Sequence, residues 1–170
     1  MQNHQWQLAD PDLARRGQSL ISWAEKRMPA LAMYKRELAQ LKPLLGITIS
    51  GSLHLTSETA ALARCLQTGG AQIVLSGSNP LSTRNEICAS LVQHDGITVF
   101  ASYGEDRQQY YEHLHAAVSV QPDIVMDDGA DMITFLAQSN TLTAKIGIEQ
   151  TTTGSSGYAA WKRGEHFRSR

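Results

Sequence analysis

His54 and Thr56 stand two positions apart in Ser50-Gly51-Ser52-Leu53-His54-Leu55-Thr56, which follows the apolar run Gly46 to Ile49 through small residues. A histidine and a carboxylate, brought together and shielded from water by a bound molecule, shift each other's proton affinity and can pass a proton. Carboxylates suited to that pairing lie in Asp127-Asp128-Gly129-Ala130-Asp131. Two further polar groups follow apolar runs: Ser76-Gly77-Ser78-Asn79-Pro80-Leu81-Ser82-Thr83, and Glu149-Gln150 with Thr151, Thr152 and Thr153. Each also has a plainer reading. Thr56 is a good helix N-cap with Glu58 and Thr59 in the first turn, and Ser82 or Thr83 could cap the next helix. His54 could be a surface histidine. The aspartates could ligate a metal, but the loop lacks the further oxygen ligands of a calcium site, and a turn plus cap explains them, so no metal is expected. His113 and His115, two apart on a helix, face different ways and make no ligand pair.

Such residues act together only if the chain brings them to one place. Asp10-Pro11-Asp12 predicts a helix start: an Asp cap, Pro at the first helical position and an acid facing the positive end of the dipole. That helix runs to Met28, Pro29 interrupts it, and a second amphipathic helix spans 30–41. Short apolar runs at 47–49, 71–75, 97–101, 123–126 and 144–148 then predict five strands. Helix-like segments lie between them, near 56–67, 82–94, 105–120 and 131–138. Strand and helix in alternation imply parallel pairing with helices on both faces. The expected fold is a three-layer, doubly wound α/β domain: a mostly parallel sheet of about five strands, preceded by two N-terminal helices. Ligands of such sheets bind outside the carboxyl ends of the strands. Most of the unusual polar residues collect at that edge, which makes it the candidate site.

Bulk properties narrow the function further. The 170 residues suit one domain spanning 1–170. Fifteen basic against sixteen acidic residues give a formal charge of -1 and a pI near 6.6, without the electrostatic footprint of a nucleic-acid or acidic-membrane partner. Cys65 and Cys88 fall in apolar helix-like segments without metal spacing, which reads as buried thiols. No window approaches the ~18 apolar residues of a membrane span, and Met1 to Ala9 is no leader, so a cytoplasmic setting is expected. Thr151 to Gly157 reads as a polar turn. Residues 158–170 read as a frayed tail with a short helical piece, Tyr158 to Trp161, at its start.

Taken in order, the motifs resemble the substrate-binding domain of S-adenosylhomocysteine hydrolase. They are Ala24-Glu25-Lys26-Arg27-Met28-Pro29-Ala30-Leu31, KPLLG from Lys42, SGSLHLTSETA from Ser50, SGSNPLST from Ser76, DDGAD from Asp127 and TTTG from Thr151. The resemblance covers residues 11 to 157 and implies an NAD-dependent, reversible split of S-adenosylhomocysteine into adenosine and homocysteine. Bound NAD oxidises the ribose 3'-hydroxyl and so acidifies C4'-H; elimination, water addition and re-reduction follow, while the protein positions the sugar and manages protons. By this resemblance His54 and Asp128 are the acid/base residues near C5' of the ribose. Thr56 is a substrate contact beside them, and Glu58 accepts from the adenine amino group. Thr151, Thr152 and Thr153 lie against the nicotinamide end of NAD.

The departures matter as much. Gln150 stands where the family has a Glu that grips the ribose hydroxyls, and an amide lacks charge-assisted hydrogen bonds, which are roughly twice as strong as neutral ones. Ala130 stands where the family has Gly. No G-x-G-x-x-G follows a predicted strand, so the family's NAD-binding domain is expected to be missing and the chain to be a truncated fragment, inactive alone. An alternative is a non-catalytic module that binds adenosine or S-adenosylhomocysteine for regulation. A third is a structural partner in a homo- or hetero-oligomer, since a family interface without its second domain would expose apolar surface.

Overall fold

A computed structural model of the chain describes residues 10–138 and 144–152. The tail expected at 158–170 lies outside the described residues. Helix α1 (Pro11–Glu25) starts as its sequence predicts: Asp10 Oδ1 accepts from the Asp12 N–H at 2.9 Å, and Pro occupies the first turn. Helix α2 (Pro29–Leu41) follows with no buried residue of its own. The rest alternates: β1 (Thr48–Leu53), α3 (Ser57–Thr68), β2 (Gln72–Gly77), α4 (Asn85–Asp95), β3 (Thr98–Phe100), α5 (Arg107–Val118), β4 (Ile124–Asp127), α6 (Asp131–Gln138) and β5 (Ile146–Glu149).

The five strands pair parallel throughout, in the order β3-β2-β1-β4-β5. The sheet is thus a doubly wound α/β sheet: strands are added outward on one side of β1 as far as β3, and the winding reverses to the other side at β4. Side chains alternate across it with a period of two. Ile73 and Leu75 of β2 join the core beneath α1, α3 and α4, while Val74 between them joins the core beneath α5 and α6. In the first core Ile21, Ile87 and Leu91 are almost fully shielded, each worth about 1.5–3 kcal/mol on burial. Helix α1 reaches α4 at Gly17, where a β-carbon would come within 1.8 Å of the Glu86 carbonyl oxygen. Both cysteines are buried and free. No helix among the described residues is long and apolar enough to cross a membrane.

Two expectations about element ends change. Ser50 to Leu53 and Ser76-Gly77, expected as loops on composition, are the ends of β1 and β2. A strand paired on both sides satisfies its backbone through its neighbours, and its crowded position favours small side chains. A β-carbon on Gly51 would already sit 3.1 Å from Leu75 Cδ2, and Ser50 Oγ donates to the Ala117 carbonyl at 2.6 Å. Likewise Asp127 and Glu149 are the last residues of β4 and β5 rather than loop residues.

Candidate active site

The reversal between β1 and β4 sets the site. Leu53 ends β1, its carbonyl accepting from the Ser78 N–H at 3.0 Å, and His54 is the first residue beyond the ladder. Asp127 ends β4 opposite Ser52, and the Asp128 N–H donates to the Ser52 carbonyl at 3.0 Å. Two residues far apart in the chain thus emerge side by side at the carboxyl edge. His54 Nε2 lies 3.1 Å from Asp128 Oδ2, with the imidazole 46% exposed and the carboxylate 15% exposed. An imidazole and a carboxylate at that distance are within hydrogen-bonding reach, the geometry a general acid/base pair needs.

The other ring nitrogen, His54 Nδ1, is in close hydrogen-bonding contact with Ser82 Oγ. Sequence pattern assigns Ser82 or Thr83 to capping the next helix. Instead α4 begins at Asn85 with Arg84 at its N-cap position and no side-chain cap, and both hydroxyls donate to the Asn79 carbonyl, at 2.9 Å and 3.3 Å. The Asn79-Pro80 turn folds the segment back before the helix can begin, which turns Ser82 toward His54. Thr56 is the N-cap of α3 as expected, its Oγ1 accepting from the Thr59 N–H at 3.5 Å. Glu58 is exposed in the first turn of α3; backbone hydrogen bonding, then the Thr56 hydroxyl, hold its carboxyl below the usual range.

Asp128 is gripped by acids that composition alone does not single out. The fully buried Asp127 accepts from the Asp128 N–H at 3.0 Å and, through its other oxygen, from the Ile133 N–H at 2.8 Å. Burial pushes its carboxyl up to about 7, against those N–H donors and with help from the Glu149 and Asp131 charges. Glu149 Oε1 accepts from the Gly129 N–H at 3.1 Å, the Thr151 N–H at 2.9 Å and the Thr151 hydroxyl at 2.7 Å. Tyr110 donates to Asp131 Oδ2 at 2.8 Å; burial, then the Asp131 charge, raises the phenol. The signal available for Asp127 and Glu149 was their place as the final residue of an apolar strand.

Comparison with known proteins follows the same chain segment. Residues 5–163 match the family model described as S-adenosyl-L-homocysteine hydrolase. The chain belongs to the S-adenosyl-L-homocysteine hydrolase family. It is 46% identical over 153 residues to the adenosylhomocysteinase of Aquifex aeolicus, covering 88% of this chain and 37% of that protein. It is 45% identical over 152 residues to the adenosylhomocysteinase of Saccharolobus solfataricus, covering 88% of this chain and 36% of that protein. The S-inosyl-L-homocysteine hydrolase of Methanopyrus kandleri is 39% identical over 153 residues, again 88% of this chain and 36% of that protein. The chain spans little more than a third of these relatives' length.

Of the remaining family-derived positions, Gln150 is exposed, its N–H donating to the Asp127 carbonyl at 2.9 Å. Thr151 spends both its N–H and its hydroxyl on Glu149, and Thr152 is exposed beyond it; Thr153 lies outside the described residues. NAD is the cofactor that membership implies. An open α/β sheet cradles a dinucleotide pyrophosphate on glycine backbone at its first strand-to-helix turn. Here that turn is His54-Leu55-Thr56, with Leu55 fully buried, Thr56 already capping α3, and Gly51 held inside β1 against Leu75. The described residues do not fit a pyrophosphate there.

Proposed function

We propose that these residues form the single substrate-binding domain of an adenosylhomocysteinase, taking an adenosine-type nucleoside at the edge where β1 and β4 meet. The 3.1 Å approach of His54 Nε2 to Asp128 Oδ2 carries this reading. His54 and Asp128 serve as the acid/base pair at the C5' end of the ribose, with Thr56 beside them and Gln150 facing the ribose hydroxyls. Glu58, held ionised, accepts a hydrogen bond from the exocyclic amine of adenine and repels the 6-oxygen of hypoxanthine, which favours an adenosyl over an inosyl substrate. Thr151, Thr152 and Thr153 approach the nicotinamide of an NAD whose binding fold lies outside these 170 residues. Two free buried cysteines fit a cytoplasmic setting.

The 170-residue chain by itself is a binder and not a catalyst. General acid/base help, typically 10²–10⁴-fold, cannot replace the oxidation that begins the reaction. Incubated with S-adenosylhomocysteine and NAD, it should release no homocysteine. Calorimetry tests the binding half: adenosine binds the wild type, inosine binds less well, and Glu58→Gln narrows that difference. Absence of adenosine affinity would end the reading. Gln150 favours a second one, a regulatory nucleoside-binding module, because an amide gives up charge-assisted bonds to the ribose. Under the first reading Gln150→Glu tightens adenosine about tenfold, equivalent to about 1.4 kcal/mol.

A further inference from the structure

We propose that Tyr110 is a positioning residue for the candidate site: from α5 its phenol holds Asp131, which keeps a strained turn closed and the Asp128 carboxylate against His54. The chemical use of that carboxylate rests on the function proposed above; its placement rests on the backbone of the turn. Between Asp128 and the start of α6 stand two residues with positive φ, Gly129 at +112 and Ala130 at +65. Glycine adopts such backbone freely, whereas a β-carbon makes it costly. Ala130 is nevertheless buried in this form, and its carbonyl accepts from the Thr134 N–H at 2.9 Å in the first turn of α6. A strained residue of this kind persists only where its surroundings over-determine it.

Bonds from two neighbouring elements supply that constraint. From β5, Glu149 accepts from the Gly129 N–H at 3.1 Å. From α5, the Tyr110 hydroxyl donates to Asp131 Oδ2 at 2.8 Å, at the first residue of α6. Burial, then the Asp131 charge, holds the phenol well above its usual range, so it keeps its hydrogen and remains a donor. Helix α5 is itself fixed where Tyr110 stands. Its capping box joins Asp106 Oδ1 to the Gln109 N–H at 2.9 Å and the Asp106 N–H to Gln109 Oε1 at 3.1 Å. The Tyr110 N–H donates to the Asp106 carbonyl at 2.9 Å, and the Tyr111 ring packs edge-on against that of Tyr110 with centroids 5.2 Å apart.

The same helix is bonded to the other half of the site. Ser50 Oγ of β1 donates to the Ala117 carbonyl of α5 at 2.6 Å, and β1 leads directly to His54. Tyr110 therefore refers Asp128 to a helix that β1 already holds, and imidazole and carboxylate keep their register through α5 as well as through the strand ladder. Without the phenol the turn loses its hold from α5. Ala130 then relaxes toward negative φ, and the turn that aims Asp128 at His54 reopens.

NMR spectra of the full chain test this without any nucleoside. In the wild type the His54 ring protons should show NOEs to the Asp128 β-protons. Tyr110→Phe removes one hydroxyl; it should lower the ratio of closed to open turn about tenfold, the scale of one hydrogen bond to a charged group, and weaken those NOEs accordingly. Unmoved Val74 and Val125 signals report in the same spectra that the fold is retained. Ala130→Gly added to Tyr110→Phe relieves the strain without restoring the hydroxyl, so it should return most of the lost NOE intensity. A hydroxyl that served stability alone would lower the unfolding midpoint and leave the NOEs of the folded chain in place. The proposal is overturned by NOEs unchanged in Tyr110→Phe, and equally by a double variant no better than Tyr110→Phe. Failure of adenosine to bind would remove the proposed function and leave the role of Tyr110 standing.

Discussion

The two sides of the candidate site are held by different physics. His54 lies just beyond β1 and Ser82 in the loop after β2, over a core of seventeen buried residues among those described, shared by α1, α3 and α4, and the segment that holds Ser82 is fixed by neutral hydrogen bonds. Asp128 sits beyond β4, where the second core has seven buried residues among those described and where two acids, the buried Asp127 and the half-buried Glu149, take over the work of positioning. Apolar packing and backbone hydrogen bonds respond little to pH. A loop gripped by carboxylates does respond, so the histidine side sets the stability of the fold and the aspartate side sets the pH sensitivity of the site.

The largest effect should come from breaking the packed side. Gly17→Ala places a methyl where the Glu86 carbonyl stands, and because that obstacle is backbone, α1 must move off α4. Overpacking of this kind costs about 3 kcal/mol, which denaturant unfolding will measure. Gly129→Ala comes next. At φ +112 this position is open to glycine almost alone, so alanine should cost about 2 kcal/mol and disturb the Gly129 N–H bond to Glu149. If it left Asp128 and its pairing with His54 untouched, the carboxylate grip would be dispensable.

Asp127→Asn sharpens the contrast through pH. The folded value, about 7, lies above the unfolded 3.8, so between those pH values the folded chain holds a proton that the unfolded chain has lost. This contribution to stability is full below pH 3.8 and is lost as pH rises through 7. The wild type should therefore lose up to about 1.4 kcal/mol per pH unit relative to Asp127→Asn across that window. Parallel stability curves for the two proteins would refute the buried-acid account. The smallest effect belongs to Ile146→Thr on the exposed edge strand β5, within about 0.5 kcal/mol. A larger loss would mean that this edge is covered in solution.

What was legible in the sequence follows the same divide. The strand and helix alternation, the Asp10 cap and the Thr56 cap are local signals, and among the described residues the expected helices and strands form in the expected order, with their ends shifted. A histidine at 54 and the aspartate group from Asp127 were legible as neighbours because both follow strands, and a doubly wound sheet gathers such positions at one edge; the choice of Asp128 among those acids came from the family resemblance. Ser82 was not, since hydroxyls before a helix read as caps until the Asn79-Pro80 turn is seen to fold them back. The buried pair of His113 and Glu105, 2.5 Å apart, was equally hidden, because only tertiary packing brings α5 against the loop before it. The Ser-Gly-Ser ending of β1 misled for a related reason: small polar residues mark loops unless neighbours on both sides supply partners.

The pairing of β1 with β4 has a consequence for how the protein is made. Three helices and two strands are synthesised between them, and every one must be threaded into place before the halves of the site touch. Closure of so long a loop is a late and slow event. A nucleoside that spans both tips would act as a clasp across that seam, stabilising the completed sheet by mass action and shielding β4 amides from hydrogen exchange more than those of β2.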